Sequence, residues 1–392
     1  MAGDYRVKNR LLLVEPEAVS GVAETPTPAA NAILVEEPVP VPSFEVIQTN
    51  EASGSLDGRG PIVGGGFFGI NGRFYLKGAG TAGVAPEYGP LLRAAALVQT
   101  LPVAKSATAQ AGSTSSTIVL DAAASAVDDF YKGRVIELTG GTGSGQKACC
   151  TAYNGTTKTA TITPNWSVTP DGTTTFTIAA CALYVPISTG LETVTAWLYD
   201  HSALAATNSL LRQIFAAAAN VTLEATTRGV VRATFALRGI MPANPTNVAH
   251  PGAGTFNATR PRPFLSTDAY IGQVAGKFRS FTLDLGNTVQ QADDPAAAFG
   301  YGIAGVTTRR MIGTINPLLQ LLATRDAFAD FIAGTPRALW MRWGSVAGNK
   351  VSILVPAATY TGATPADTDG FNAEELPFEA TGIDSGAYIC VY

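Results

Sequence analysis

The sequence predicts a mainly β protein, a sandwich or barrel with a flanking helix, interrupted by a small all-β insertion. Three observations carry that expectation. Several segments alternate apolar and polar residues with period two, the pattern of a strand with one buried and one wet face. Asn154-Gly155 and Asp171-Gly172 sit between short alternating runs, and such dipeptides are the strongest local hairpin signal. Of the 392 residues, 46% are hydrophobic and only 14% charged. That excludes a disordered chain and allows a large core, in two or three domains by length.

Along the chain, residues 11–14 read as a short strand, and 24–30 as a Pro/Thr-rich turn. Residues 33–41 are extended, with Pro38, Pro40 and Pro42 at hand. Proline at that density argues against a central strand and for an arm running over a surface. A strand starts at 44–49, a Gly-rich polar loop fills 50–66, and 66–77 returns as a strand. Phe68, Ile70, Phe74 and Leu76 fall on one face of it, Asn71, Arg73, Tyr75 and Lys77 on the other. The result is a hairpin with an unusually long tip, and loops of that length are commonly functional. Residues 90–97 predict a short helix opened by Pro90.

From 104 to 184 the texture changes to small Ser/Thr-rich strands at 116–120, 134–138, 147–153, 159–162 and 174–178. The expected division is therefore a first body segment (1–103), an inserted β domain (104–184) and a second body segment (185–392). In the last, strands are expected at 194–199, 229–238, 277–285, 306–315, 339–343, 350–355 and 388–392; 204–220 is Ala-rich and ambiguous, and 241–264 is a Pro/Asn loop. Residues 324–334 predict the best helix, with Thr324 as N-cap, Asp326 in the first turn, a Phe328/Phe331/Ile332 stripe and Gly334 closing it.

Charge and motifs exclude more than they suggest. A net charge of −4 and a pI near 5.3 are not the basic footprint of a DNA-gripping protein. No ~20-residue apolar stretch suits a bilayer and no secretory core is present, so the chain is expected to be made and soluble in a cytoplasm. Cys149, Cys150, Cys181 and Cys390 fit neither a zinc pattern nor a disulfide framework, and read as small buried residues. The run GGTGSGQK at 140–147 lacks the Lys-Ser/Thr ending of a phosphate loop and reads as a turn. His201 and His250 have no nucleophile elbow to serve and read as solvated loop residues. Asp293-Asp294 and Asp367-Thr368-Asp369-Gly370 read as Asx turns. No catalytic, metal or cofactor site is expected.

The runs LLLVEPEAVSGVAETPTPAANAILVEE and GGGFFGINGRFYLKG resemble the start of bacteriophage tail tube (major tail) proteins. FRSFTLDLGNTVQQADD, GVTTRRMIGTINPLL and RDAFADFIAGTPRALWMRWGSVAGNKVSILVPAATYTG resemble their later strands and helix. The resemblance covers 11–96 and about 191–392 and rests on segment order; the stretch from Asp128 to Trp166 resembles a small β module of phage tail and fibre proteins. It implies a homo-hexameric ring, rings stacked into a tube in the virion, contacts with tail terminator and tail-tip or tape-measure proteins, and passage of genomic DNA through the lumen. It implies barrel strands at 44–49, 66–77, 279–286 and 306–315. Asn50, Glu51, Asp57 and Arg59 would belong to an inter-ring loop, Pro38, Pro40 and Pro42 to an inter-subunit arm, and Asn71, Arg73, Thr282, Asp284 and Arg310 to the lumen. Arg73, Lys77 and Arg310 would brake DNA unless paired with acids. An outward module would obstruct a contractile sheath. The rival expectation is a virion or cell-surface adhesin or carbohydrate-binding sandwich, which explains the Thr/Gly richness but not the hairpin or the proline run. A tail-associated hydrolase fits worst, for want of a nucleophile or metal motif.

Overall fold

The computed structural model describes residues 5–49, 51–52, 54, 57, 59–202 and 208–392. It is mainly β, 52% strand and 4% helix. In chain order, β1 (Tyr5–Pro16), a one-turn helix α1 (Pro28–Asn31) and β2 (Ala32–Ile33) lead to the long pair β3 (Glu36–Ile47) and β4 (Ile62–Tyr75). Helix α2 (Gly89–Ala94) runs into β5 (Leu97–Thr100). A module follows, made of β6 (Lys105–Thr108), β7 (Thr117–Val119), β8 (Val135–Gly140), β9 (Lys147–Asn154), β10 (Thr159–Thr163) and β11 (Thr175–Ile178). The chain then adds β12 (Ala182–Pro186), β13 (Val194–Ser202), β14 (Asn208–Thr226), β15 (Arg232–Ile240), β16 (Thr246–Ala249), β17 (Asp268–Ile271), β18 (Val274–Ala275) and β19 (Phe278–Asp284). The hairpin of β20 (Asn287–Asp293) and β21 (Tyr301–Arg309) precedes β22 (Ile312–Pro317) and α3 (Ala327–Ala333). The last strands are β23 (Arg337–Trp343), β24 (Val351–Tyr360), β25 (Thr364–Thr368), β26 (Phe371–Ala380) and β27 (Tyr388–Val391).

Pairing puts the principal sheet in the order β3–β4–β15–β14–β19–β22–β26, all antiparallel. A second layer runs β2–β1–β13 and joins the first half of β14. Strand β14 bends between layers at Ala216, whose φ is +50°. Strand β24 turns the other corner, pairing with β27 through Val351–Leu354 and with β26 through Ala358–Tyr360. The core lies between the layers: Ile70, Phe74, Phe235, Phe281 and Leu283 from one side meet Leu12, Val14, Ala196 and Leu198 from the other. Alternation along each strand delivers those side chains inward, and their burial is the main stabilising term. Leu91 and Leu92 of α2 are wholly buried in the same core.

The module has its own sheet, ordered β6–β11–β8–β9–β10–β7, and its own core around Ile118, Ile136, Tyr153, Trp166 and Phe176. It leaves and rejoins the body at adjacent antiparallel strands, since Thr100 of β5 lies opposite Leu183 of β12. Its sheet runs from Lys105 to Ile178; β12, which straddles the expected boundary at 184, pairs with β5 and β27 of the body. GGTGSGQK is the β8–β9 turn, with Gly141, Gly143 and Gly145 at positive φ.

Several expectations need correction. The strand expected at 306–315 is two: β21 pairs only with β20, and β22 starts afresh in the principal sheet. Arg310 sits in the break, where the sequence shows no punctuating residue. The cap of α3 is Asp326, whose carboxylate accepts from the Ala329 amide at 2.8 Å, not Thr324. Gly334 closes the helix in the left-handed region. Of the α3 stripe only Phe331 packs on the core: Phe328 is 59% and Ile332 70% exposed, while Asp330 is buried by its pair with Arg337. The ambiguous Ala-rich run is strand β14, because small residues suit a bent strand squeezed between two partners; 203–207 lie outside the described residues.

Candidate functional site

The expected lumen residues come from distant segments, and register aligns most of them. Arg73 of β4 lies opposite Thr234 of β15, which lies opposite Thr222 of β14. Thr222 lies opposite Asp284 of β19, Asp284 opposite Ile312, and Ile312 opposite Glu379. Asn71, Arg73, Thr282 and Asp284 therefore share the outer face of one sheet, away from the core. Neighbours on it include Glu224 and Thr314. Arg310 joins this face only from its rim, outside any strand.

Each cation considered there has an acid. Arg73 pairs with Glu37 at 3.8 Å, Arg232 with Glu36 at 3.6 Å, and Arg310 with Glu379 at 2.8 Å. Such exposed pairs add little stability, but they neutralise positive charge on the face. The Glu379 carboxylate, hydrogen-bonded to Arg310, pushes the guanidinium further up. Asp284 accepts from Asn220 Nδ2 at 2.8 Å and the Gly286 amide at 2.9 Å. Lys77, expected on this face, is instead buried: its ammonium meets Glu87 at 3.0 Å and donates to the Asn257 carbonyl.

The proline run is not a free arm. Pro38, Pro40 and Pro42 lie within β3, paired to β4 through Pro40–Ile70 and Pro42–Phe68. Amides of residues i and i+2 point to the same edge of a strand, so the three missing donors fall on one edge and Val39 and Val41 carry the ladder. That edge is the outer one, and among the described residues β3 has no second strand partner. The ladder continues past the sheet to Val46–Val63 and Ile47–Ile62, so the loop is shorter than expected, 48–61. Those four side chains are 52–67% exposed. The hairpin base is braced by β20–β21: the Gly66 amide donates to the Phe299 carbonyl, and the Phe44 and Phe299 rings meet edge to face at 5.6 Å. A Cβ at Gly65 would stand 2.6 Å from that same carbonyl, which explains glycine there. Among the loop residues, Glu51 and Arg59 form an ion pair of 3.0 Å and Asp57 is exposed; Asn50 lies outside the described residues.

The sequence missed three features of this surface. The β20–β21 brace has a weak signal, TVQQADD followed by YGIAG, because few of its residues reach the core. The Arg–Glu matching is invisible without register. The exposed apolar ladder could have been found, since FEVI and PIV break the alternation of their neighbours.

His201 and His250 are not solvated separately in loops. Their rings stack at 3.9 Å with an interplanar angle of 26°, and His201 shares a 2.8 Å hydrogen bond with Ser209 Oγ. Burial and the neighbouring His250 push His201 below the ordinary imidazole value, against Asp200. The four thiols are free and buried, and burial raises those of Cys149 and Cys150. Asp367 and Asp294 accept backbone amides of their own turns. Among the described residues no three His, Cys, Asp or Glu side chains are grouped to hold a metal, and no helix is long and apolar enough to cross a membrane.

What remains is a neutralised polar sheet face, a strand edge without a second partner among the described residues and a projecting apolar hairpin. No protein-family model matches the chain, and no curated protein matches it.

Proposed function

We propose that this chain is a phage tail tube protein: its copies form hexameric rings that stack into a tube, and DNA passes through the lumen during ejection. The observation that carries the reading is the hairpin β3–β4, which runs beyond its sheet with Val46, Ile47, Ile62 and Val63 exposed. Monomers seldom leave an apolar two-strand ladder in water, because it is an aggregation hazard unless a partner covers it. The open edge of β3 suits pairing between copies in a continuous inner barrel. The outer face with Asn71, Arg73, Thr282 and Asp284 suits the lumen, since paired arginines leave DNA phosphates few free cations to grip. In this reading the module points outward, and the tube meets tail terminator and tail-tip or tape-measure proteins at its ends in the virion.

Negative-stain electron microscopy across a range of protein concentrations tests it. Rings or tubes with a central channel are expected. A compact trimer with no channel at any concentration would overturn the tube and favour the adhesin.

A further inference from the structure

The hairpin tip and a cleft lined by three phenylalanines lie at opposite ends of the principal sheet. Tyr75 pairs with Arg232 at one end of β4, whereas residues 62–67 run past the last β15 pairing, Phe68–Gly239, at the other. At the Tyr75 end, where β14 finishes, β19 begins and β25 turns into β26, a cleft of about 430 Å³ opens. Phe264, Phe278 and Phe371 line it, and Phe371 is 67% exposed. Arg228, Lys277 and Arg279 stand around it, and among the described residues only Arg279 has an acid, Asp369 at 3.4 Å. In a chain of net charge −4 this corner is positive. The hairpin is its complement: exposed Val46, Ile47, Ile62 and Val63, with Glu45, Glu51 and Asp57 against Arg59.

We infer that the cleft receives the hairpin of a second copy. Apolar side chains of the ladder enter over the three phenylalanines while its carboxylates meet Arg228 and Lys277. The two surfaces differ and lie at opposite ends, so the contact is heterologous and propagates head to tail. Charge sets register and encounter rate, and aromatic burial holds the pair. The inference rests on the assembly reading above and names which surface receives the tip.

The test uses the full chain. Lys277→Glu/Arg279→Glu changes exposed positions, and thermal melting checks that it folds. Its head-to-tail assembly, followed by sedimentation and negative stain, is expected to need about tenfold more protein. Combining it with Glu45→Lys/Glu51→Lys in the hairpin is expected to restore assembly. A photo-cross-linker at Val46 should join a second copy within 264–279 or at Phe371. Stacking by the cleft variant at the wild-type concentration, or cross-links that map elsewhere in stacked assemblies, overturns this contact and leaves the tube standing. Failure of the wild-type chain to oligomerise at any concentration overturns both.

Discussion

The module from β6 to β11 carries its own sheet and core, with β6 and β7 at the sheet's edges, and meets the body in one shared cluster of Val135 and Cys149 with Trp340 and Tyr388, whereas the body sends out a bare hairpin. Within it β8, β9 and β10 form a meander around Ile136, Cys150 and Ile162, while β11 returns to lie between β6 and β8. Its outer faces carry short Thr and Ser pairs, such as Thr139 with Thr175 and Ser106 with Thr177. The body assembles β4, β15, β14 and β19 from segments up to two hundred residues apart. It ends in an open edge at β3 and a bare apolar ladder at the hairpin. A domain with a core of its own can be inserted where two adjacent strands offer a gap.

The comparison breaks if the two regions unfold as one. Phe235→Ala in the body, at 0% exposure, is expected to cost about 3–5 kcal/mol and to lower only the body's calorimetric transition. Phe176→Ala, at 1% exposure, is expected to lower only the module's. A single transition shifted equally by both would end the distinction. Next in size, Lys77→Ala leaves Glu87 buried without its cation and is expected to cost the body about 3 kcal/mol. Urea denaturation measures it, and Lys77→Ala/Glu87→Gln should recover part.

Acid sharpens the comparison further, because both histidines lie in the body. The fold holds His201 below its ordinary value, so the unfolded chain binds that proton more readily. Stability is therefore fully present above roughly pH 6.5 and is lost as pH falls through the lowered folded value. Protonation also sets a positive ring against the stacked His250, near Arg10, Lys8 and Arg212, with Asp200 the opposing acid. Melts at pH 7.5 and 5 should show the body transition falling and the module transition holding; His201→Gln should flatten the difference. The smallest effect is expected at α3, where Asp326→Ala removes the N-cap and costs about 1 kcal/mol. For the proposed lumen, Asp284→Lys is expected to slow DNA ejection, and unchanged ejection kinetics would move Asp284 off it.

Local pattern determined a good part of this protein. Alternation alone placed Phe68, Ile70 and Phe74 inside, and likewise Val231, Phe235 and Leu237, because a strand's two faces follow from period two whatever its partner. Turn chemistry marked the module's hairpins, because Gly and Asn set backbone angles within four residues. Tertiary structure decided what depends on distant partners. It buried Lys77 against Glu87, turned Phe328 and Ile332 outward, split 306–315 at Arg310, bent Ala216 between two layers and matched Arg73, Arg232 and Arg310 to glutamates on neighbouring strands. Side-chain burial and charge pairing are properties of register between strands, and register joins residues that the chain itself keeps far apart.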